Sequence, residues 1–482
     1  MRERELQPPA AMPGPLPVPS SRNLTSGRQA GRPLRVVYLT AGAAGMICGS
    51  CLRDNTLARA LTQAGVDIEL VPTYTPIRTD EPDASGSRVF LGGLNVYFDQ
   101  KIPGFAWLPN WLTGWLDRPG LLRWATSFGI QTDARDLGAL TVSLLRGSRG
   151  RQRREIERLV NWLASRPECD VVHFSNLMIG GCIPRLKERL GCRVVVTLQG
   201  DDIFLNELPS PFREQAEAEM RRLVADVDRF IVNCRFYGEA MGRRFAIPPE
   251  KLEVQPLTID TADFAGERPE RTGPDRCIGY LARLAPEKGL AVLVDAFLNL
   301  RSRPGTEHIR LRIAGWMGDH RREFVDAQKA KLQAAGLESS VEFLGEVDRQ
   351  GKVDFLRGVD VLSVPATYAE PKGLYVLEGL AAGTPYVQPA HGAFPEIRER
   401  LGGGLLVDPN DPARLADGWE RLLNDDSFRE KLGREGQAAV CRLASSAYLT
   451  QRMLETYAEV LQSGPRSEGN SLSTSGAADE RR

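Results

Sequence analysis

Apolar residues in this chain gather into short runs, separated by longer stretches in which they recur every three or four positions. The run Leu34-Arg35-Val36-Val37-Tyr38-Leu39 reads as a buried strand, residues 40–50 as a Gly/Ala-rich loop, and 52–64 as a helix stopping at Gly65. Asp67-Ile68-Glu69-Leu70-Val71 is the next strand. Strand, loop, helix and strand in that order imply a parallel pair joined by a right-handed crossover. Later runs predict strands at 170–174, 193–198 and 229–232, then at 277–281, 311–314, 341–344, 361–364 and 386–388, with helices between them. From Asp260 to Arg276, Thr, Gly, Pro and charge interrupt the apolar periodicity. The expected fold class is therefore α/β: two doubly wound, Rossmann-like domains facing each other across a cleft, with ligands at the C-terminal ends of the strands. The expected limits are a tail at 1–33, a first domain at 34–260, a second at 261–445, a last helix at 446–462 and a tail at 463–482.

Composition narrows the choice of function. At 482 residues the chain exceeds what one core usually supports. Lys plus Arg and Asp plus Glu both number 62, so the net charge is zero, which argues against a general nucleic-acid binder. The tails are rich in Pro, Ser, Gly and Arg and read as disordered, with no apolar signal core, and no run of eighteen apolar residues offers a membrane span. The eight cysteines are scattered apart from Cys48 and Cys51, and the histidines (His173, His308, His320, His391) lie far apart, so no metal-ligand set is complete. Cys48-Gly49-Ser50-Cys51 is read as small residues letting a loop approach a ligand, with a redox pair as the alternative. Reduced thiols fit a cytoplasmic setting.

Two clusters carry chemistry. In Glu370-Pro371-Lys372-Gly373-Leu374 a turn breaks the preceding strand and a helix starts near Leu374. The amides of Gly373 and Leu374 then lie at a helix N-terminus, where free N–H groups and the macrodipole favour phosphate. Glu378, about one turn further on, is placed to accept bonds from vicinal sugar hydroxyls, and Glu370 faces whatever the phosphate carries. About ninety residues upstream, Ile278-Gly279-Tyr280-Leu281-Ala282-Arg283 runs into Pro286-Glu287-Lys288-Gly289-Leu290, so Arg283 and Lys288 flank one loop mouth, positioned to neutralise a diphosphate. Each cluster alone also fits solvated surface charge. The pair together points to a nucleotide bearing a sugar.

The order of five blocks is more specific still: Arg283 to Gly289, Leu311-Arg312-Ile313-Ala314-Gly315, Val341-Glu342-Phe343-Leu344-Gly345, the paired glutamates, and Phe394-Pro395-Glu396-Ile397. Over residues 34–462 the chain resembles a family 4 glycosyltransferase of the GT-B fold. The resemblance implies a retaining hexosyltransferase that uses a sugar nucleotide as substrate, with no metal or other cofactor expected. It assigns Glu370, Arg283 and Lys288 to catalysis, with the cations and the Gly373/Leu374 amides standing in for a divalent ion. Glu378 is assigned to the ribose, Glu370 to the transferred sugar, and Gly345, Glu346 and Val347 to the base. Gly49 occupies the second glycine of a first-loop pair, as a phosphate or acceptor approach or as an ordinary turn, and the last helix crosses back to the first domain.

The chain departs from that pattern in three places. Gln199 stands where relatives carry a His that touches the donor sugar, and Gln cannot carry a proton at neutral pH; Asp201 or Asp202 is the alternative participant. Lys372 replaces the usual Phe, adding a cation beside the phosphates or the donor sugar and bearing on sugar choice, with an acidic sugar as one outcome. Gln255-Pro256-Leu257-Thr258-Ile259-Asp260 replaces an interdomain turn. The acceptor (glycan, lipid-linked or small molecule) is not readable. Trp107, Trp111 and Trp115, followed by the basic run from Arg146 to Arg154, read as a packed insert and a solvated loop, or as peripheral contact with an anionic inner membrane surface. His173 reads as a bonded strand-end residue, with a role in the cleft as the alternative, and His391 as a donor contact or a plain loop residue. Two other functions stay open: a catalytically silent sugar-nucleotide binder, motivated by Gln199, and a sugar-nucleotide epimerase.

Overall fold

The computed structural model describes residues 32–42, 49–77, 79–86, 89–90, 134–264, 268, 273 and 275–463. The expected tails apart from their innermost residues, Cys48, and the Trp107, Trp111 and Trp115 segment lie outside these.

Two six-stranded sheets form, both wholly parallel. The first comprises β1 (Arg35–Thr40), β2 (Asp67–Pro72), β3 (Val171–Phe174), β4 (Arg193–Leu198), β5 (Arg229–Val232) and β6 (Leu252–Val254), ordered β2-β1-β3-β4-β5-β6. The second comprises β7 (Arg276–Leu281), β8 (Ile309–Ala314), β9 (Val341–Gly345), β10 (Val361–Leu362), β11 (Tyr386–Pro389) and β12 (Gly404–Val407), ordered β12-β11-β10-β7-β8-β9. The inner strands are buried on both faces, which explains their unbroken apolar runs. Strand order reverses between β1 and β3 in the first lobe and between β7 and β10 in the second. At such switch points, adjacent loops leave in opposite directions and open a crevice. The loops after β7 and β10 hold Arg283, Lys288, Glu370 and Gly373, so both clusters sit at that crevice.

Several expected bounds change. β6 and β12 were not anticipated; both are short edge strands with half-buried positions, so neither shows the double-sided burial that marks an inner strand. β10 ends at Leu362: Ser363 N still donates to Gly279 O, but Val364 N turns to the Gln388 side chain and the chain leaves the ladder for the site loop.

Six helices border the cleft or complete the first lobe: α1 (Gly49–Gln63), α2 (Asp201–Glu207), α3 (Leu290–Arg301), α4 (Arg349–Gly358), α5 (Leu374–Ala381) and α6 (Ser446–Gln462). The last begins with Ser445 capping the Tyr448 amide and lies on the first lobe. Leu449, Met453, Leu454, Tyr457 and Val460 join Leu34, Tyr38, Leu57 and Leu61 in one core cluster. His173 fixes it: Nδ1 bonds Tyr457 Oη at 2.7 Å and Nε2 bonds Thr197 Oγ1 at 2.8 Å. Burial, with the Arg53 charge adding to it, holds the His173 pKa well below the usual range, so the ring is neutral. Its role is therefore the bonded, structural one. Among the described residues no helix is long and apolar enough to cross a membrane.

Candidate active site

Two loops of the second lobe are tied together before any side chain is considered. Gly289, at φ +75°, closes the short turn Pro286–Lys288, and a Cβ there would overlap the Pro365 carbonyl. Thr367 N donates to Glu287 O at 3.1 Å, so the loop after β10 lies on the turn that starts α3. This close approach brings Lys288 Nζ onto the Glu370 carboxylate, and the same ammonium bonds Tyr368 Oη at 3.0 Å. Tyr368 in turn donates to Glu370 Oε2 at 2.6 Å, and the Lys372 amide approaches Oε1 at 3.3 Å. Glu370 is only 3% exposed. Burial alone would raise its pKa, but the Lys288 charge, that bond and the Tyr368 phenol outweigh burial and hold it below the usual carboxylate value. The group is an anion fixed in one orientation.

This geometry alters one expectation. Lys288 and Glu370, read from the sequence as independent ligand contacts, are also bonded to each other, because a carboxylate this buried requires a counter-charge. Arg283 is about half-exposed, and its nearest carboxylate is Glu287 at 3.4 Å. Gly373 caps α5 at φ +72°, where a non-glycine residue would be strained and its Cβ would press on Phe394 and Ile397. The glycine-capped start of α5 therefore follows three residues after Glu370, with Lys288 Nζ 5.8 Å from the Tyr375 ring in its first turn.

Glu378 lies one turn into α5 and is held by Lys352 Nζ at 2.6 Å. That lysine, in α4, also binds Asp80 of the first lobe at 2.5 Å. Burial would lower the Lys352 pKa, but Glu378 and Asp80 together raise it, so it stays charged. Arg349, on the same helix, pairs with Asp263 at 2.7 Å and approaches Glu81 at 3.7 Å. A small cavity remains between the lobes, lined by Arg53, Thr56, Glu81, Arg349, Leu374 and Glu378. Neither Lys352 nor Asp80 was singled out from the sequence. The first carries one available signal, its place in the helix that follows Gly345-Glu346-Val347; the second carries none, since nothing local links residue 80 to residue 378. Tyr368, also missed, sits two positions before Glu370.

The remaining candidates distribute unevenly. Gly345 (φ +71°) ends β9, the edge strand of the sheet, Glu346 and Val347 follow it, and a Cβ at Gly345 would meet open space. Among the described residues a Cβ at Gly49 would touch Leu374 alone, at 3.9 Å, which places the start of α1 over the start of α5. Lys372 Nζ crosses to the first lobe and donates to Ser50 Oγ at 2.6 Å. Gln199 corrects the expectation that its amide faces a donor sugar. Its Nε2 is committed to Ser175 O at 2.9 Å and Asp54 Oδ1 at 3.1 Å, because Asp54 is fully buried and gathers donors, including Tyr38 Oη at 2.7 Å. Arg146 and Arg149 of the basic run both pair with Glu219. His391 Nε2 bonds Ala366 O at 3.0 Å, beside the site loop. Among the described residues no group of three or more His, Cys, Asp or Glu is placed to hold a metal ion.

Asp201, at the start of α2, accepts from Leu177 N at 3.1 Å and from Gln199 N at 3.2 Å. Burial dominates these bonds and pushes its pKa up to about 7. A carboxyl raised in this way stabilises the fold fully below its unfolded pKa of about 3.9, and that contribution fades as pH rises through about 7. Asp201→Asn is expected to flatten the fall in Tm between about pH 4 and pH 7, measured by thermal unfolding across that range. Parallel curves for the two proteins would contradict the assignment.

Comparison with known proteins places the fold in context. The family model described as Glycosyltransferase Family 4 matches residues 55–263, and that described as Glycosyl transferases group 1 matches residues 265–439. A Mycobacterium leprae protein described as phosphatidyl-myo-inositol mannosyltransferase is 34% identical over 237 residues, covering 48% of this chain and 58% of that protein. This chain thus spans somewhat over half the length of that curated relative. Among solved structures, sucrose-phosphate synthase from Thermosynechococcus elongatus superposes with a TM-score of 0.64 at 18% identity, over 89% of this chain and 100% of that one. The Anabaena protein HepE in complex with UDP gives 0.59 at 16%, over 88% and 100%.

Proposed function

This chain belongs to the glycosyltransferases of group 1 and family 4, with two lobes in the GT-B arrangement, and from that premise we propose that it moves a sugar from a nucleoside diphosphate sugar to a hydroxyl acceptor with retention of configuration and without a metal. The observation that carries the proposal is the Lys288–Glu370 pair beside the glycine-capped start of α5, with Glu378 one turn on. An ammonium has three donors. Lys288 uses two on Glu370 and Tyr368, leaving one for a diphosphate that the α5 amides and Arg283 also hold. Glu370, anionic and oriented, accepts hydroxyls of the transferred sugar. Glu378 takes the ribose hydroxyls, and Gly345, Glu346 and Val347 border the base. The bond from the anomeric carbon to the diphosphate breaks as charge gathers on the phosphate oxygens. The acceptor oxygen bonds the same face, and its proton passes to the departing phosphate. The lipid named for the mycobacterial relative makes a lipid-linked polyol one candidate acceptor, at the inner surface of a cytoplasmic membrane.

The test is release of nucleoside diphosphate from UDP-, GDP- or ADP-sugars in EDTA. Glu378→Ala is expected to lower kcat/KM by about 10- to 100-fold, the worth of charged hydrogen bonds to the ribose. Unchanged turnover in that variant removes Glu378 from the donor site. A silent binding protein is the second reading, favoured by the commitment of the Gln199 amide to Asp54 and Ser175. It gives calorimetric binding with no product, whichever acceptor is supplied.

A further inference from the structure

The cations around the cleft differ in one respect. Arg283 pairs with Glu287, Lys288 with Glu370, and Lys352 with Glu378 and Asp80. Lys372 has no carboxylate within 4 Å among the described residues, and its one hydrogen-bond partner there is the neutral hydroxyl of Ser50 on the opposite lobe. The ammonium is half-buried, spans the cleft floor, and lies between the starts of α1 and α5, whose dipoles oppose a cation. An amine so placed attracts an anion.

Its position says which part of a ligand would bring one. The Lys372 backbone amide approaches Glu370, the residue read as holding the transferred sugar, and the next residue is Gly373, which caps the helix read as holding the diphosphate. Across the cleft, Nζ lies 3.9 Å from where a Gly200 Cβ would stand. Lys288, Arg283 and the α5 amides already converge on the diphosphate.

We propose that Lys372, steadied by Ser50, selects a donor whose transferred sugar carries a carboxylate, so that the substrate is a nucleoside diphosphate hexuronic acid. This rests on the donor-site reading above and specifies its substrate class. The uronate supplies the contacting carboxylate that Lys372 lacks, since the nearby Glu370, which feels the Lys372 charge, is already bonded to Lys288.

The experiment compares matched donors, UDP-glucuronic acid with UDP-glucose and GDP-mannuronic acid with GDP-mannose, by competition against the free nucleoside diphosphate and by diphosphate release. The full chain is expected to favour the uronate of the accepted nucleotide by about 10- to 100-fold, the value of one charge-assisted bond. In Lys372→Met that ratio falls to near one, and in Ser50→Ala it falls part of the way. A wild-type ratio near one, or a ratio that survives in Lys372→Met, overturns the proposal. Equal weakening of free UDP or GDP and of every donor in Lys372→Met also overturns it, and makes Lys372 a diphosphate ligand. Failure of both free nucleotides to bind the wild-type chain instead overturns the donor-site reading, and this proposal with it.

Discussion

Lys288→Met should destabilise the protein by about 3–5 kcal/mol, because it strands a buried carboxylate without its cation. Glu370 is 3% exposed and, when Lys288 is removed, keeps Tyr368, the Lys372 amide and the more distant Lys372 charge. In the intact protein the Glu370 pKa is depressed, so its contribution to stability is present above the usual glutamate value and is lost as pH falls through the depressed one. Without Lys288 burial prevails and the sign reverses, so the deficit of the variant should shrink as pH is lowered. Lys288→Met/Glu370→Gln is expected to recover most of the stability, since both charges are then gone. It should not recover turnover, which falls by about 100- to 1,000-fold in either protein when a donor to the developing phosphate charge is lost. Denaturant unfolding of the two single variants and the double variant, set beside diphosphate release, measures both effects. Additive stability losses would mean that the pair is not coupled, and recovered turnover would place the chemistry elsewhere.

Ending the chain before Ser445 is expected to unfold the first lobe. Five large apolar side chains of α6 are buried there, together worth on the order of 10 kcal/mol, which is comparable with the whole stability of a domain. The same cut removes Tyr457, leaving the His173 Nδ1 position unanswered in the core. Hydrogen exchange reads the result: amides of β1 and β3 should lose protection, while β7 and β8 keep theirs. Undiminished protection in β1 would show that α6 is an accessory to the lobe.

How much of the molecule was legible in its sequence depends on where each signal lay. Inner strands such as β1, β4 and β7 announce themselves, because burial on both faces leaves an unbroken apolar run. The edge strands β6 and β12 carry half-buried positions and read as loop. The α5 start was legible because Gly373, Leu374 and Glu378 act within one local segment, whose turn chemistry is written in consecutive residues. Pairings across loops were not. Nothing in residues 283–289 states that Lys288 will bond Glu370 and not only a ligand; that depends on Gly289 letting two loops touch. Lys352 with Asp80, and Lys372 with Ser50, join positions hundreds of residues apart and become visible only when the lobes are assembled. Gln199 is read through the His that relatives carry at its position, whereas its orientation is set by Asp54, a buried carboxyl group contributed by α1.

The return of α6 to the lobe that opens the chain also fixes an order of assembly during synthesis. The second lobe is made from one continuous stretch and has all its strands once β12 has left the ribosome. The first lobe has its six strands much earlier, yet the face of α1, β1 and β3 that α6 covers stays bare until the last turns of that helix emerge. The half translated first is therefore completed last, and for that interval its uncovered apolar face is the part of the nascent chain most in need of a chaperone.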